Sequence, residues 1–254
     1  MQDVFLYEGE RLDAVNEKIN LIQKKDGLTF GTDAFLLASF IKPRKSGRAL
    51  ELGAGTGIIS LLLAAKEKFS EIHALEVQED FATLTARNVE INGLEDKIKI
   101  SCLDVRELRA SSFGEFDVVF SNPPYMTTDS GKRNESDYKY IARHEVCGGI
   151  SDFAAAAYRA LKHGGKFYVV WRPDRLCDLI CALRNNRLEP KIMTLVCADE
   201  KSEPSMVLVS ATKGGASGMT LTAPLILHAS GDHSTLLPEA QRIYDTLSFD
   251  LYGE

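Results

Sequence analysis

Asn122-Pro123-Pro124-Tyr125 follows, after Ser121, on an apolar run, Phe116-Asp117-Val118-Val119-Phe120. An amide, two prolines and a tyrosine in that order suit one kind of chemistry. Adjacent prolines cannot donate to a sheet ladder, so a strand that meets them must stop. They also fix the backbone path and aim Asn122 and the Pro123 carbonyl beyond the strand end, where ligands sit in an open α/β sheet. An exocyclic amine conjugated to a heteroaromatic ring is a poor nucleophile, because its lone pair is delocalised. Two oxygens, the Asn122 amide and the Pro123 carbonyl, accepting its N–H bonds would favour a pyramidal nitrogen. They would also stabilise the positive charge that grows as that nitrogen attacks an electrophilic carbon. Tyr125 offers a flat face for stacking the planar group, which holds it in line at ~3–3.5 Å. No strong base is needed first, since the proton becomes acidic only as the new bond forms.

A second constellation lies upstream, in Glu51-Leu52-Gly53-Ala54-Gly55-Thr56-Gly57, between an apolar run and a helical pattern. Glycines there permit a tight turn and let backbone N–H groups approach a ligand at a helix N-terminus. The dinucleotide fingerprint G-x-G-x-x-G is not met, because the sixth position from Gly53 is Ile58. Nineteen residues beyond Gly57 the next apolar run ends in Ala74-Leu75-Glu76. A carboxylate at that place accepts hydrogen bonds from the vicinal hydroxyls of a ribose. The third run ends in Cys102-Leu103-Asp104, where the Asp either meets an adenine amino group or caps the helix that follows.

Glu51 to Gly57 resembles motif I of the S-adenosylmethionine-dependent methyltransferases with the Rossmann-like fold. Asn122 to Tyr125 resembles motif IV of the amino-methyltransferases that modify adenine N6, guanine N2 or a glutamine side-chain amide. Phe30-Gly31-Thr32-Asp33-Ala34-Phe35-Leu36-Leu37 resembles the G-T-D-x-x-L-L segment of the bacterial tRNA1(Val) adenine-N6 methyltransferases. The tail, Pro224-Leu225-Ile226-Leu227-His228 with Tyr244, resembles the end of that family. The resemblance implies S-adenosylmethionine as cofactor, bound by Glu51, Gly53, Gly55, Gly57, Glu76 and Asp104. Gly31, Thr32 and Asp33 would line its methionine end, with Asn122 touching it as well. Asn122, Pro123 and Tyr125 would be catalytic, and Pro124 and Tyr125 would hold an adenine. The reaction implied is methylation of adenine N6 in RNA, at the adenosine 3′ of the anticodon of a tRNA. Three alternatives are a protein glutamine, an rRNA guanine N2, and an RNA module that binds the cofactor without catalysis.

These residues need a frame that brings strand ends together. Apolar runs at Ala49–Leu52, Ile72–Leu75, Ile98–Cys102, Phe116–Phe120, Lys166–Val170, Ile192–Cys197 and Met206–Ala211 suit strands buried on both faces. Helical patterns lie between them at Gly57–Lys68, Glu79–Ile91, Asp152–Lys162 and Asp174–Asn186. Asn92-Gly93 and His163-Gly164-Gly165 read as left-handed helix caps. The alternation predicts a doubly wound α/β sheet of seven mostly parallel strands with helices on both faces, and the resemblance implies that it is the Rossmann-like methyltransferase fold. The short step from Cys197 to Met206 predicts an antiparallel edge. Residues 1–46 form an amino-terminal extension in which Thr32-Asp33 cap a helix over Ala34–Ile41. Residues 47–254 form the methyltransferase domain.

The chain has 254 residues, 30 basic against 36 acidic, for a net charge of −6. That balance argues against a broad nucleic-acid face, yet Arg159 to Lys191 holds eight basic and three acidic residues. Arg172 and Arg175 follow the fifth run on the edge of the proposed site, so they are expected to touch RNA backbone. Lys42, Arg44, Lys45 and Arg48 precede the first run and are expected on the opposite edge. Residues 126–150 mix aromatic and basic side chains with four acidic ones and suit a lid or a substrate-contacting loop. The five cysteines lack metal-ligand or disulfide spacing, so no metal is expected. Neither a basic-then-apolar leader nor a membrane span is evident, and a cytoplasmic protein is expected. The oligomeric state is left open.

Overall fold

Runs of apolar residues that cover both faces of a strand demand a parallel sheet with helices above and below. A computed structural model describes residues 4–25, 30–123 and 148–249. Pro124, Tyr125 and residues 126–147 of the expected lid lie outside the described residues. The chain starts with an antiparallel hairpin of β1 (Glu10–Ala14) and β2 (Asn20–Lys24), then α1 (Thr32–Phe40). Alternation follows: β3 (Arg44–Leu52), α2 (Ile58–Ala65), β4 (Phe69–Glu76), α3 (Glu79–Ile91), β5 (Ile98–Cys102), the short α4 (Ala110–Phe113) and β6 (Phe116–Ser121). Beyond the undescribed stretch come α5 (Ile150–Ala160), β7 (Leu161–Trp171), α6 (Leu176–Asn185), β8 (Leu188–Cys197) and β9 (Pro204–Lys213). Four short strands close the order, β10 (Thr220–Leu221), β11 (Leu225–Ile226), β12 (His228–Ala229) and β13 (Asp232–Leu236), before α7 (Pro238–Thr246).

The main sheet runs β8-β9-β7-β6-β3-β4-β5. β9 lies antiparallel between β7 and β8, and the remaining pairs among these seven strands are parallel. This is the mostly parallel, Rossmann-like sheet with an antiparallel edge that the spacing predicts. β10 and β11 each pair with β8 and make the sheet nine-stranded rather than seven. The strand period of two sends alternate side chains to opposite layers. Ala49, Val118 and Phe120 join a core with α1, α2 and α7, whereas Leu50, Leu52 and Val119 join one with α5 and α6.

Topology places the site. From β3 the chain winds outward through β4 and β5, then returns to β6 on the other flank of β3. Such a reversal opens a crevice at the carboxyl ends of the two central strands. The Ser121 hydroxyl donates to the Leu52 carbonyl at 2.7 Å and ties those ends together. The loops that follow them are the glycine segment and Asn122-Pro123.

Two local expectations need correction. α1 begins at Thr32, with Gly31 as its N-cap and no capping side chain, so Thr32 and Asp33 form its first turn rather than precede it. A carboxylate in that turn still favours the positive end of the helix, and the second oxygen of Asp33 is turned to a distant partner described below. His163-Gly164-Gly165 is not a helix cap. α5 ends at Ala160 and β7 starts at once, so Gly164, with φ +75°, serves a bulge in β7 between the pairs Phe116↔Leu161 and Val118↔Lys166. Asn92-Gly93 does end α3: Gly93 has φ +63°, and the N–H groups of Gly93 and Leu94 donate to Glu90 and Val89 at 2.9 and 3.1 Å.

Candidate active site

Gly53, Gly55 and Gly57 take φ values of +72°, +58° and +78°, the left-handed region where a side chain is strained. Neighbouring groups hold every bend of this loop. The N–H groups of Gly53 and Ala54 both donate to Leu75 at 2.9 Å, and that of Gly55 donates to Glu76 Oε2 at 2.8 Å. On the other side Thr85 Oγ1 donates to the Gly55 carbonyl at 2.7 Å, and Asn88 Nδ2 to the Thr56 carbonyl at 3.0 Å. Thr85 and Asn88 are fully buried on α3. Sequence reasoning passed over both; their signal is a pair of polar residues one turn apart on the apolar stripe of a helix. Asn88 also exchanges hydrogen bonds with the Ile22 N–H and carbonyl, at 2.7 and 3.1 Å, so one amide docks the β1–β2 hairpin and steadies the loop.

Of the residues expected to hold the cofactor, Glu76 and the loop glycines have the geometry to do so. Glu76 Oε1 accepts from Gln78 N at 2.9 Å and Oε2 from Gly55 N. A carboxylate has about four acceptor positions, which leaves capacity for the two hydroxyls of a ribose. A Cβ built on Gly55 meets nothing within 4 Å, so the loop borders open space. Asp104, in contrast, takes the capping alternative. It accepts from Arg106 N at 2.8 Å, opens the 3-10 turn Val105–Glu107, and pairs with the Arg106 guanidinium, which holds its pKa below the usual carboxylate range.

Glu51 is nearly inaccessible and faces the first turn of α2, where its Oε2 accepts from Ser60 N at 3.2 Å and from the Ser60 hydroxyl. Burial pushes its pKa up to about 8; the Ser60 bonds oppose the rise and the charge of Glu76 adds to it. The folded protein therefore keeps this proton to about pH 8, whereas the unfolded chain releases it near 4.5. Between those values the folded state binds more protons, so stability falls as pH rises, by at most about 1.4 kcal/mol per unit from this group. Glu51→Gln removes the dependence. Denaturation midpoints of the variant and the parent should diverge steadily from pH 5 to pH 8, and a constant difference would refute the buried neutral carboxyl.

At the end of β6, Asn122 Nδ2 donates to Asp33 Oδ2 at 2.7 Å, joining residues 89 positions apart. α1 carries Asp33 and is clamped from the tail of the chain. The Tyr244 ring stacks on Phe35 at 5.1 Å and its side chain hydrogen-bonds Thr32. An open depression of about 810 Å³ adjoins Asp33, with Thr32, Trp171, Arg172, Pro173 and Met206 among its walls. The structure separates the two arginines named from sequence. Arg172 lines the depression and pairs with Asp174 at 2.9 Å. Arg175 pairs with Asp178 at 2.8 Å and lies over the Trp171 ring. Trp171 and Met206 were not singled out from sequence, since each reads as an ordinary apolar strand residue. Arg44 and Arg48 lie at the start of β3, away from its glycine loop, and engage Asp117 and Glu71. Among the described residues no group of three His, Cys, Asp or Glu side chains is placed to hold a metal ion, and no helix is long and apolar enough to cross a membrane.

The sequence model of the methyltransferase small domain matches residues 24–180, which span the glycine loop, Glu76 and Asn122. The chain belongs to the methyltransferase small domain family. It is an S-adenosylmethionine-dependent methyltransferase. A tRNA1(Val) (adenine(37)-N6)-methyltransferase of Phocaeicola vulgatus is 30% identical over 180 residues, 71% of this chain and 75% of that one. One of the same name from Dyadobacter fermentans is 30% identical over 143 residues, 56% and 58% of the two chains, so there the match spans under two thirds of the relative. A crystal structure from Agrobacterium tumefaciens, described as a predicted O-methyltransferase, superposes with a TM-score of 0.69 at 26% identity over 85% of this chain and 97% of that one. In this methyltransferase small domain chain, the crevice between β3 and β6 therefore brings Glu76, the three loop glycines, Asp33 and Asn122 to one edge of the sheet.

Proposed function

We propose that this methyltransferase modifies the exocyclic N6 of an adenine in RNA, the adenosine 3′ of a tRNA anticodon. The observation that carries the reading is Asn122, a side-chain amide at the carboxyl end of β6 that is hydrogen-bonded to Asp33, itself in the wall of a depression large enough for a base. The names of the relatives in Phocaeicola vulgatus and Dyadobacter fermentans support the choice of adenine and tRNA.

Bound on the glycine loop and Glu76, S-adenosylmethionine supplies a methyl group activated by a sulfonium. The chain's own residues do the remainder. Asn122 Oδ1 and the Pro123 carbonyl accept the N–H bonds of the adenine amine, which draws its lone pair out of conjugation and stabilises the charge that nitrogen gains. Tyr125 follows and offers the stacking face. An adenosine inside a loop must be flipped out to reach this place, at a cost of a few kcal/mol. Arg172 in the wall of the depression recovers part of that cost through the phosphate backbone, because its exposed pair with Asp174 is worth little.

Incubation of the protein and methyl donor with unmodified tRNA, followed by nucleoside mass spectrometry, should show N6-methyladenosine. Methylguanosine, or methyl groups on protein glutamine instead, would overturn the reading. Reversing charge at Arg172 and Arg175 should weaken tRNA binding and lower the slope of log affinity against log salt by about 1 for each phosphate no longer engaged. Unchanged binding and slope would move the RNA path elsewhere.

A further inference from the structure

We propose that Asp33 is a positioning residue: it decides which end of the Asn122 side-chain amide meets the target amine. The inference rests on the reading that Asn122 accepts a hydrogen bond from that amine.

An amide side chain is nearly symmetric in shape and opposite in chemistry at its two ends. Turned one way, Asn122 presents a carbonyl that accepts from an amine. Turned the other way, it presents an NH2 group that confronts the amine's own N–H bonds. β6 and the Pro123 that follows fix the backbone of Asn122, but not this choice. Asp33 supplies it. An ionised carboxylate only accepts, so Oδ2 at 2.7 Å selects Nδ2 as its partner and puts the carbonyl on the opposite side. A charge-assisted hydrogen bond weights two such orientations by roughly ten- to a hundredfold.

The surroundings hold Asp33 in this task. Its other oxygen, Oδ1, accepts from Ala34 N at 2.9 Å in the first turn of α1. A Cβ on Gly31 would stand 2.9 Å from Oδ1, so glycine at 31 leaves room for the carboxylate to fold back over the helix start. α1 itself is pinned at several points. Tyr244 engages Thr32 and Phe35, the Ser39 hydroxyl reaches the Ile243 carbonyl, and buried Lys68 donates to the Ala38 and Ile41 carbonyls at 2.8 Å each. The Gly31-Thr32-Asp33 segment thus bears on the nucleophile's side of the reaction.

An exchange of the two side chains tests the idea. In Asp33→Asn the pair is two amides, neither of which enforces the other. The variant should lose roughly ten- to a hundredfold in kcat, with calorimetric affinity of the free protein for S-adenosylhomocysteine within about twofold of the parent. Asn122→Asp sets two carboxylates face to face and should also be impaired. The double variant Asp33→Asn/Asn122→Asp restores a donor opposite a carboxylate and leaves an oxygen for the amine. Its kcat should exceed that of each single variant by about tenfold or more. A double variant as poor as the product of the singles would overturn the proposal. So would an Asp33→Asn variant whose loss lies wholly in S-adenosylhomocysteine affinity, which would make Asp33 a cofactor ligand only. Full activity in Asn122→Ala would sink the underlying reading of Asn122 instead, so the two failures are distinguishable.

Discussion

Asn122→Ala should lower kcat by about 10²–10³-fold while S-adenosylhomocysteine still binds. One of two acceptors for the amine is removed, and losing one preorganised polar group from a site of developing charge has an effect of that size. The fold has little reason to suffer. Asn122 lies just beyond β6, and the ends of β6 and β3 stay joined through Ser121 and Leu52. Single-turnover rates with saturating donor and tRNA would isolate the chemical step. A variant that kept the parental rate would show that the amide does not touch the amine, and the mechanism would fail with it.

Gly57→Ala and Gly55→Ala should fail in opposite ways. At Gly57 an added Cβ would stand 2.6 Å from Thr85 Cγ2, with the backbone already at φ +78°. Left-handed backbone costs an alanine roughly 1–2 kcal/mol, and overpacking costs roughly another 1–3. Thr85 cannot turn aside without giving up its 2.7 Å bond to the Gly55 carbonyl. The sum is a large part of the ~5–15 kcal/mol that holds a domain folded, and denaturant titration would read it. Thr85→Ser in the same background keeps the hydroxyl, removes the offending methyl and should recover the steric part. At Gly55 the added methyl meets no protein atom within 4 Å. That variant should stay near parental stability, within about 1–2 kcal/mol, and lose affinity for S-adenosylhomocysteine. Equal stability losses at the two positions would contradict the loop geometry.

The glycine loop, Glu76 and the end of β6 were legible in the sequence because each is a local pattern. An apolar run stops, a residue with special backbone or charge follows, and the spacing to the next run is that of a crossover. What stayed hidden depends on distant or internal partners. Nothing along the chain announces that Asp33 meets Asn122, or that Thr85 and Asn88 turn inward to hold loop carbonyls. The cap assigned to Thr32-Asp33 failed because α1 already starts at Thr32, with Gly31 as its N-cap, so both residues sit in the first turn. Counting charge over Arg159 to Lys191 included Asp174 and Asp178 but did not show that they pair with Arg172 and Arg175. Gly164-Gly165 misled in another way, since a bulge and a helix cap ask for the same backbone.

The two short strands on the outside of β8 have a consequence for the molecule's neighbours. A long edge strand presents unpaired N–H and carbonyl groups, an invitation to any other strand. Here β10 covers Ile192 and Met193, β11 covers Val196 and Cys197, and Thr222 Oγ1 reaches Thr194 Oγ1 between them at 2.8 Å. The chain thus laps its own border and occupies the positions through which a second sheet would be added. The opposite border, β5, is five residues long and carries the exposed Lys99. Short length and an exposed lysine are the usual defences of such an edge. Continuation of the sheet into another molecule is therefore blocked on one side and discouraged on the other.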